Sequence, residues 1–580
     1  MASIRRAAPL LVLTALTLAS LALPRPAAAC GGTFCDNGPQ AMPVDQTGET
    51  IVFVMGGDYT EAHVQIDYDP NTDASKFAWL VPMTAVPEFA VGSQQLFLNL
   101  QNGTVPAFGF TQFFEPCDYG GEGGYYEGGC TAASSASGGG GTGGGGDDGG
   151  STGDAPTVLL EATVGAFDVV VLESPDAGVV MTWLGDNGYV QDPNAEPILQ
   201  GYIDRGYVFV AMKLTQGADV AQIHPITLTY PGSEPCVPIE LTRIAAQPDM
   251  DIRAFFLAAE RVGPSNYKHV VPNPVLFDWP MFAPNYKAVV TLAVDSPGAD
   301  GHAFVTEYAG PSSIVDRTGI HSAAWSSQVF AGLAPTEVVS ELVGQGLVQC
   351  SMTTCSYDHP LIRGVLLQFL PVPDGIDEGE FYSCLSCYEG LIDANAWDAA
   401  AFAQAIEERI VAPGAHAVAI LDAWPTLTRL YTTISPQEMT EDPFFHENAS
   451  LPAVDLTSQV ATRTVTCEGG SSWSLPGGWV VNADGSWPTW PATMPAALRI
   501  EAIPPEGPPQ VEVDNTAAIQ DQLAMANAGY EGPPQRACGD LDPEDPAKGG
   551  CGCRSSGDAP LTLLLAAGGG GLYLRRRRRG

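Results

Sequence analysis

Positive charge is scarce in this chain: 25 Lys and Arg stand against 66 Asp and Glu in 580 residues, a formal net charge of −41. A surface so acidic repels phosphate backbones, so nucleic acid is not an expected partner. Histidine is rarer still, with eight residues dispersed along the chain, which argues against a His-rich metal site; His302 and His321 read as polar groups near turns. There is no Gly-x-Ser-x-Gly elbow, no His-Glu-x-x-His and no phosphate loop ending in Gly-Lys-Ser/Thr. Without these signatures no catalytic residue is assigned and no cofactor is expected.

The two ends carry the clearest instructions. Arg5 and Arg6, the apolar stretch Ala8 to Leu23 and the run Ala27 to Ala29 form a signal peptide, residues 1–29, with cleavage expected before Cys30. Acylation of Cys30 is the alternative, weakened by Ala27 where a leucine is usual. At the other end an apolar run, Ala559 to Leu574, precedes Arg575 to Arg579. As a helix, residues 559–574 would span about 24 Å, a little short of a hydrocarbon core of about 30 Å. Gly568 to Gly571 weaken that helix by about 1 kcal/mol each. The arginines hold residues 575–580 on the cytoplasmic side. The segment is thus a marginal transmembrane helix, better suited to a transient stop than to a permanent anchor.

Cys551 and Cys553, in the linker 538–558, would then sit just outside the inner membrane. There a sorting protease and a lipid-attachment machinery are the expected partners. This cysteine, apolar helix and arginine cluster resembles the myxobacterial C-terminal sorting domain (MYXO-CTERM). The resemblance implies cleavage near the cysteine and display at the cell surface or outer membrane, with lipid on the thiol. An ordinary single-span anchor is the alternative.

Thirteen cysteines in an exported chain argue for disulfides. Proximity in sequence suggests Cys30 with Cys35, Cys117 with Cys130 and Cys350 with Cys355, and leaves Cys236, Cys467 and Cys538 without an obvious mate. Cys384-Leu385-Ser386-Cys387 reads as a further structural disulfide, with two alternatives: a redox dithiol, or a zinc knuckle shared with Cys350 and Cys355.

The body reads as α+β, with strand-rich mixed sheets, short helices and disulfide stabilisation. In its N-terminal part, 30–130, strands are expected at Thr50 to Met55, His63 to Asp67, Phe77 to Pro82 and Val105 to Phe114. Residues 131–154 are a Gly/Ser-rich linker or loop. The remainder, 155–465, opens with strands Thr157 to Thr163 and Phe167 to Leu172. Helices from about Asp176 to Asn187 and Pro193 to Arg205 come next. Strands follow at Tyr207 to Lys213, Ile226 to Tyr230, Pro238 to Ile244, Ile252 to Ala259, Ala288 to Val294 and Ala303 to Tyr308. A short helix is read from Thr336 to about Val343 and a long one from Ala394 to Ile410, begun by Asp393 and stopped by Pro413-Gly414. Ser435-Pro436-Gln437-Glu438 is a capping-box signal. Residues 466–537 read as a small Trp/Pro-rich appendage with a helix from Asn515 to Ala528.

One weak calcium pattern stands out: Asp67, Asp69, Asn71 and Asp73 offer oxygen at alternate positions. Thr72 replaces the usual glycine, Ala78 the bidentate glutamate, and strands rather than helices flank it, so a polar hairpin turn is the simpler reading.

Several stretches together resemble an uncharacterised exported family, domain of unknown function 2330. They are Cys30-Gly31-Gly32-Thr33-Phe34-Cys35, Ala62 to Ile66, Ala78-Trp79-Leu80-Val81-Pro82, Trp183 to Tyr189, His224-Pro225 through Tyr230, and Leu427 to Tyr431 through Asp442-Pro443. The resemblance spans about residues 30–465 and implies export and an envelope setting, with no known reaction. The expected function is therefore a surface-displayed, membrane- or lipid-anchored binding or structural protein that meets envelope or matrix material. The alternative is a secreted hydrolytic or thiol-dependent enzyme.

Overall fold

Side chains alternating at period two build the core. Along the strand Gln46–Met55, Ile51, Phe53 and Met55 face one layer while Val52 and Val54 face another. The computed structural model describes residues 35–36, 46–67, 78–116, 156–187, 189–190, 192, 194–215, 222–244, 246–467, 470–483 and 486–530. Within them the chain is α+β, with mixed sheets, short helices and closed cysteine pairs.

A large sheet runs Gln510–Asp514, Ala497–Ala502, Lys268–Pro272, Ala303–Pro311, Thr426–Ile434, Ala246–Ala258, Gln46–Met55, Tyr59–Asp67, Ile226–Pro231, Glu88–Val91. Neighbours in it are antiparallel except where Ala246–Ala258 meets Gln46–Met55 and Lys268–Pro272 meets Ala303–Pro311. A smaller antiparallel sheet, ordered Ala78–Met83, Val208–Leu214, Phe167–Glu173, Thr157–Val164, lies across one face of it. Phe53, Val64, Phe256 and Leu228 of the large sheet share a core with Trp79, Val81, Val169, Val210 and Met212 of the smaller one. Each such buried side chain contributes about 1.5–3 kcal/mol through removal from water.

The outer face of the smaller sheet, with Leu80, Leu172, Phe209 and Ala211, is covered by the helices Ala177–Asp186 and Ala195–Asp204. The far face of the large sheet is covered by Gln94–Thr104 and Ala412–Ala423, which meet Val52, Val54, Phe255 and Leu257. The result is a helix, sheet, sheet, helix stack, because each sheet has two apolar faces to hide.

Elsewhere a helical block from Ser327 to Val411 packs around Phe330, Leu342, Leu366, Phe381, Phe402 and Ile406. The segment read as an appendage contributes strands to the body. Ser471–Ser474 and Val480–Ala483 extend a sheet through Gln459–Val465 to Phe108–Phe114, and Ala497–Ala502 pairs with Lys268–Pro272. Trp473, Trp479, Trp487 and Trp490 pack with Trp279 and the helix Thr516–Ala528.

Four local expectations change. Pro238 to Ile244 is a short helix, Ile239–Thr242, rather than a strand, since the Asp442 carboxylate accepts from the Glu240 N–H in its first turn. Ala288 to Val294 is helical too, Tyr286–Val294, with Val289, Val290, Ala293 and Val294 buried on one face despite the β-branched run. The long helix starts later and runs on past Pro413-Gly414. Asp398, not Asp393, caps it at Ala399–Ile406, a π-turn follows at Glu407–Val411, and Ala412–Ala423 continues with no break in helical backbone angles; the π-turn just ahead of Pro413 rearranges the hydrogen-bond ladder where the proline has no N–H to give. Glu438 does accept from the Ser435 N–H at 2.8 Å, but the Ser435 hydroxyl is bound to Asp249, and the chain makes only a turn there.

Among the described residues no helix is long and apolar enough to cross a membrane; the run Ala559 to Leu574 lies outside them.

Candidate functional site

The two packed sheets do not close completely. Between them lies a cavity of about 320 Å³, lined on the large sheet by Ile51, Phe53, Ala62, Val64 and Leu228 and on the smaller by Trp79 and Val81. The exposed Thr84, Ser233 and Glu234 stand at its edge. The edge loop is pinned: Thr60 Oγ1 donates to Gly232 O at 2.7 Å and Gly232 N to Asp58 O at 3.0 Å. Gly232 takes φ +124°, open to glycine and strained for other residues.

Polar groups on the wall are few. Glu49 is buried and accepts from Thr242 Oγ1 at 2.8 Å. The Cys236 thiol is free, and burial first, then the negative charge of Asp442, push it well above its ordinary value. A thiol held protonated is a poor nucleophile, so Cys236 is a wall rather than a reagent. Burial likewise pushes the Tyr207 hydroxyl up to about 12. The arrangement suits binding of a small, mostly apolar molecule.

The other face of the same strand carries different chemistry. Ala62 and Val64 point to the cavity, so Glu61 and His63 point to the helix Ala412–Ala423, from which His416 reaches them. Glu61 Oε1 lies 2.6 Å from His63 Nε2 and 2.6 Å from His416 Nε2. The imidazoles stack with centroids 5.9 Å apart, and His63 Nδ1 is 3.1 Å from Thr227 Oγ1. Burial opposes ionisation of Glu61, but hydrogen bonding by His416 and His63 and their charges outweigh it and hold the carboxyl at about 2.

Strand alternation and a helix far along the chain thus bring two of the dispersed histidines onto one carboxylate. His302 and His321 do not join them. His302 is held by Asp300 O and Thr440 Oγ1, and His321 sits edge-on to Trp325. The signal missed in the sequence was Glu61-x-His63 on a strand, whose partner helix no local pattern reveals.

The remaining sequence candidates fall as follows. Cys350 bonds to Cys355 across facing strands and Cys384 bonds to Cys387, so these four are two disulfides, not a zinc knuckle. Cys467, left without a mate by spacing, is also disulfide-bonded. Cys35 begins a short strand paired with Tyr189–Val190. Asp67 ends its strand, while Asp69, Asn71 and Asp73 lie outside the described residues, as do Cys30, Cys117, Cys130, Cys551 and Cys553. His224, in one of the quoted stretches, is a core group. Its Nε2 accepts from the Ala166 N–H at 2.9 Å, and burial lowers it to about 4, leaving it neutral.

A family model of uncharacterised proteins conserved in bacteria, DUF2330, matches residues 24–320, just over half of the 580-residue chain. The chain belongs to that family. The match covers the smaller sheet and the strands of the large one that line the cavity, together with Glu61 and His63, whereas the large-sheet strands Thr426–Ile434, Ala497–Ala502 and Gln510–Asp514, as well as His416 and the stretch up to Pro443, lie beyond it. No curated protein and no solved structure matches the chain.

Proposed function

We propose that this chain is an exported binding protein of the cell envelope that shelters a small apolar molecule between its two sheets. The cavity carries the reading. At about 320 Å³ it lies at the small end of the range for ligand pockets, and its walls are mainly apolar side chains with few polar groups. The setting follows from the ends of the chain: a signal-like start, a cysteine pair, an apolar run and terminal arginines. Disulfides and an acidic exterior accord with life outside the cytosol.

Native mass spectrometry of protein purified from the envelope tests the binding. The wild type should carry a co-purifying apolar compound, and Ala62→Phe, which fills the cavity from the large sheet, should lose it while keeping its circular dichroism. Equal occupancy in a folded Ala62→Phe, or an empty wild type that takes up no apolar probe, would refute it.

A further inference from the structure

We propose that Glu61, His63 and His416 form a zinc site on the face of the large sheet opposite the cavity. Their ligand atoms, one carboxylate oxygen and two imidazole nitrogens, lie within 4.8 Å of one another. Two nitrogens and one oxygen are a set that zinc binds when three protein ligands leave a fourth position for water or substrate.

Hydrogen bonds close the cluster in the absence of metal: His63, 1% exposed, and His416 each bring Nε2 to Glu61 Oε1 at 2.6 Å. His63 Nδ1 meets Thr227 Oγ1 at 3.1 Å; when Nδ1–H donates to that hydroxyl, the Nε2 lone pair is turned towards the carboxylate and is available to a cation that takes the place of the Nε2 proton. Thr227 then plays the outer role common to zinc-bound histidines, fixing the tautomer and the ring plane.

Val52, Val54 and Ala417 make the surroundings apolar, which strengthens any cation's attraction to the buried carboxylate. Ligands on one zinc ion stand about 3.3 Å apart, so Glu61 and the imidazoles must separate slightly on binding. His416 can give way, because its side chain is 48% exposed; the same exposure provides the entry path and the open position.

Full-length purified protein is stripped with chelator, incubated with zinc chloride, dialysed and assayed for metal. One zinc per chain is expected, with affinity at least tenfold lower in His416→Ala and Glu61→Gln. Thr227→Val should weaken binding about tenfold through the outer shell. No retained zinc in the wild type, or unchanged affinity in folded His416→Ala and Glu61→Gln, would overturn the site. If those variants do not fold, the cobalt-substituted wild type decides. Ligand-field bands of nitrogen and oxygen coordination support the site, whereas thiolate charge transfer puts the metal on cysteine and refutes it.

Discussion

Asp442 is a carboxyl placed where carboxylates are costly. It is buried, and it accepts from Tyr202 OH at 2.8 and 3.0 Å and from the Glu240 N–H at 2.9 Å. Burial outweighs those bonds and raises it from 3.8 to about 7. In the unfolded chain the proton leaves near 3.8, so between that value and about 7 the folded form holds a proton that the unfolded form has released. Stability from this group is therefore undiminished in acid and declines as the pH rises through that window. Asp442→Asn keeps an oxygen for both donors and has nothing to ionise. The stability of the variant relative to wild type should rise steadily from about pH 4 to about pH 7 in urea titrations, and a constant difference would contradict the burial argument. None of this was legible locally, since the partners of Asp442, Tyr202 and Glu240, stand some two hundred residues away. His63 was equally opaque, its role depending on a helix distant in sequence.

The helix Gln94–Thr104 is one of several elements that sequence reading passed over. It buries Leu96, Phe97 and Leu100 against the large sheet, and Ser93 Oγ accepts from the Leu96 N–H at 3.3 Å as its cap. Phe97→Ala should cost about 3–5 kcal/mol, for lost transfer energy and the cavity left behind. Ser93→Ala should cost only about 1 kcal/mol, because it removes one cap bond. Denaturant midpoints would test that ordering, and a smaller loss for Phe97→Ala than for Ser93→Ala would show that the helix does not anchor the layer. Elements built on short runs of β-branched and aromatic residues, such as Phe167–Glu173 and Val208–Leu214, were read almost to the residue. Tyr286–Val294 was misread because Val and Ala serve a strand or a buried helix equally well, and only the packed neighbours choose.

At the scale of the whole molecule, the proposed sorting tail makes the remaining prediction. Mass spectrometry of the mature C-terminus with cell fractionation should find a chain ending near Cys551 or Cys553, lipid on the thiol, in the surface or outer-membrane fraction. An intact chain with reduced thiols in the soluble interior would refute export. Such an address can be read from sequence because hydrophobic length and arginine clusters act locally, without a fold. The α+β class, many strands of the body, though not the interior Thr426–Ile434, and the two short-loop disulfides could likewise be read from neighbours along the chain. The cavity and the His–Glu cluster belong to the tertiary structure alone. Ala62 faces one and Glu61 the other only because the strand lies between a second sheet and the helix bearing His416. Alternation along the strand could be read in advance, but what waits on each side depends on contacts between residues hundreds of positions apart, which no local pattern encodes.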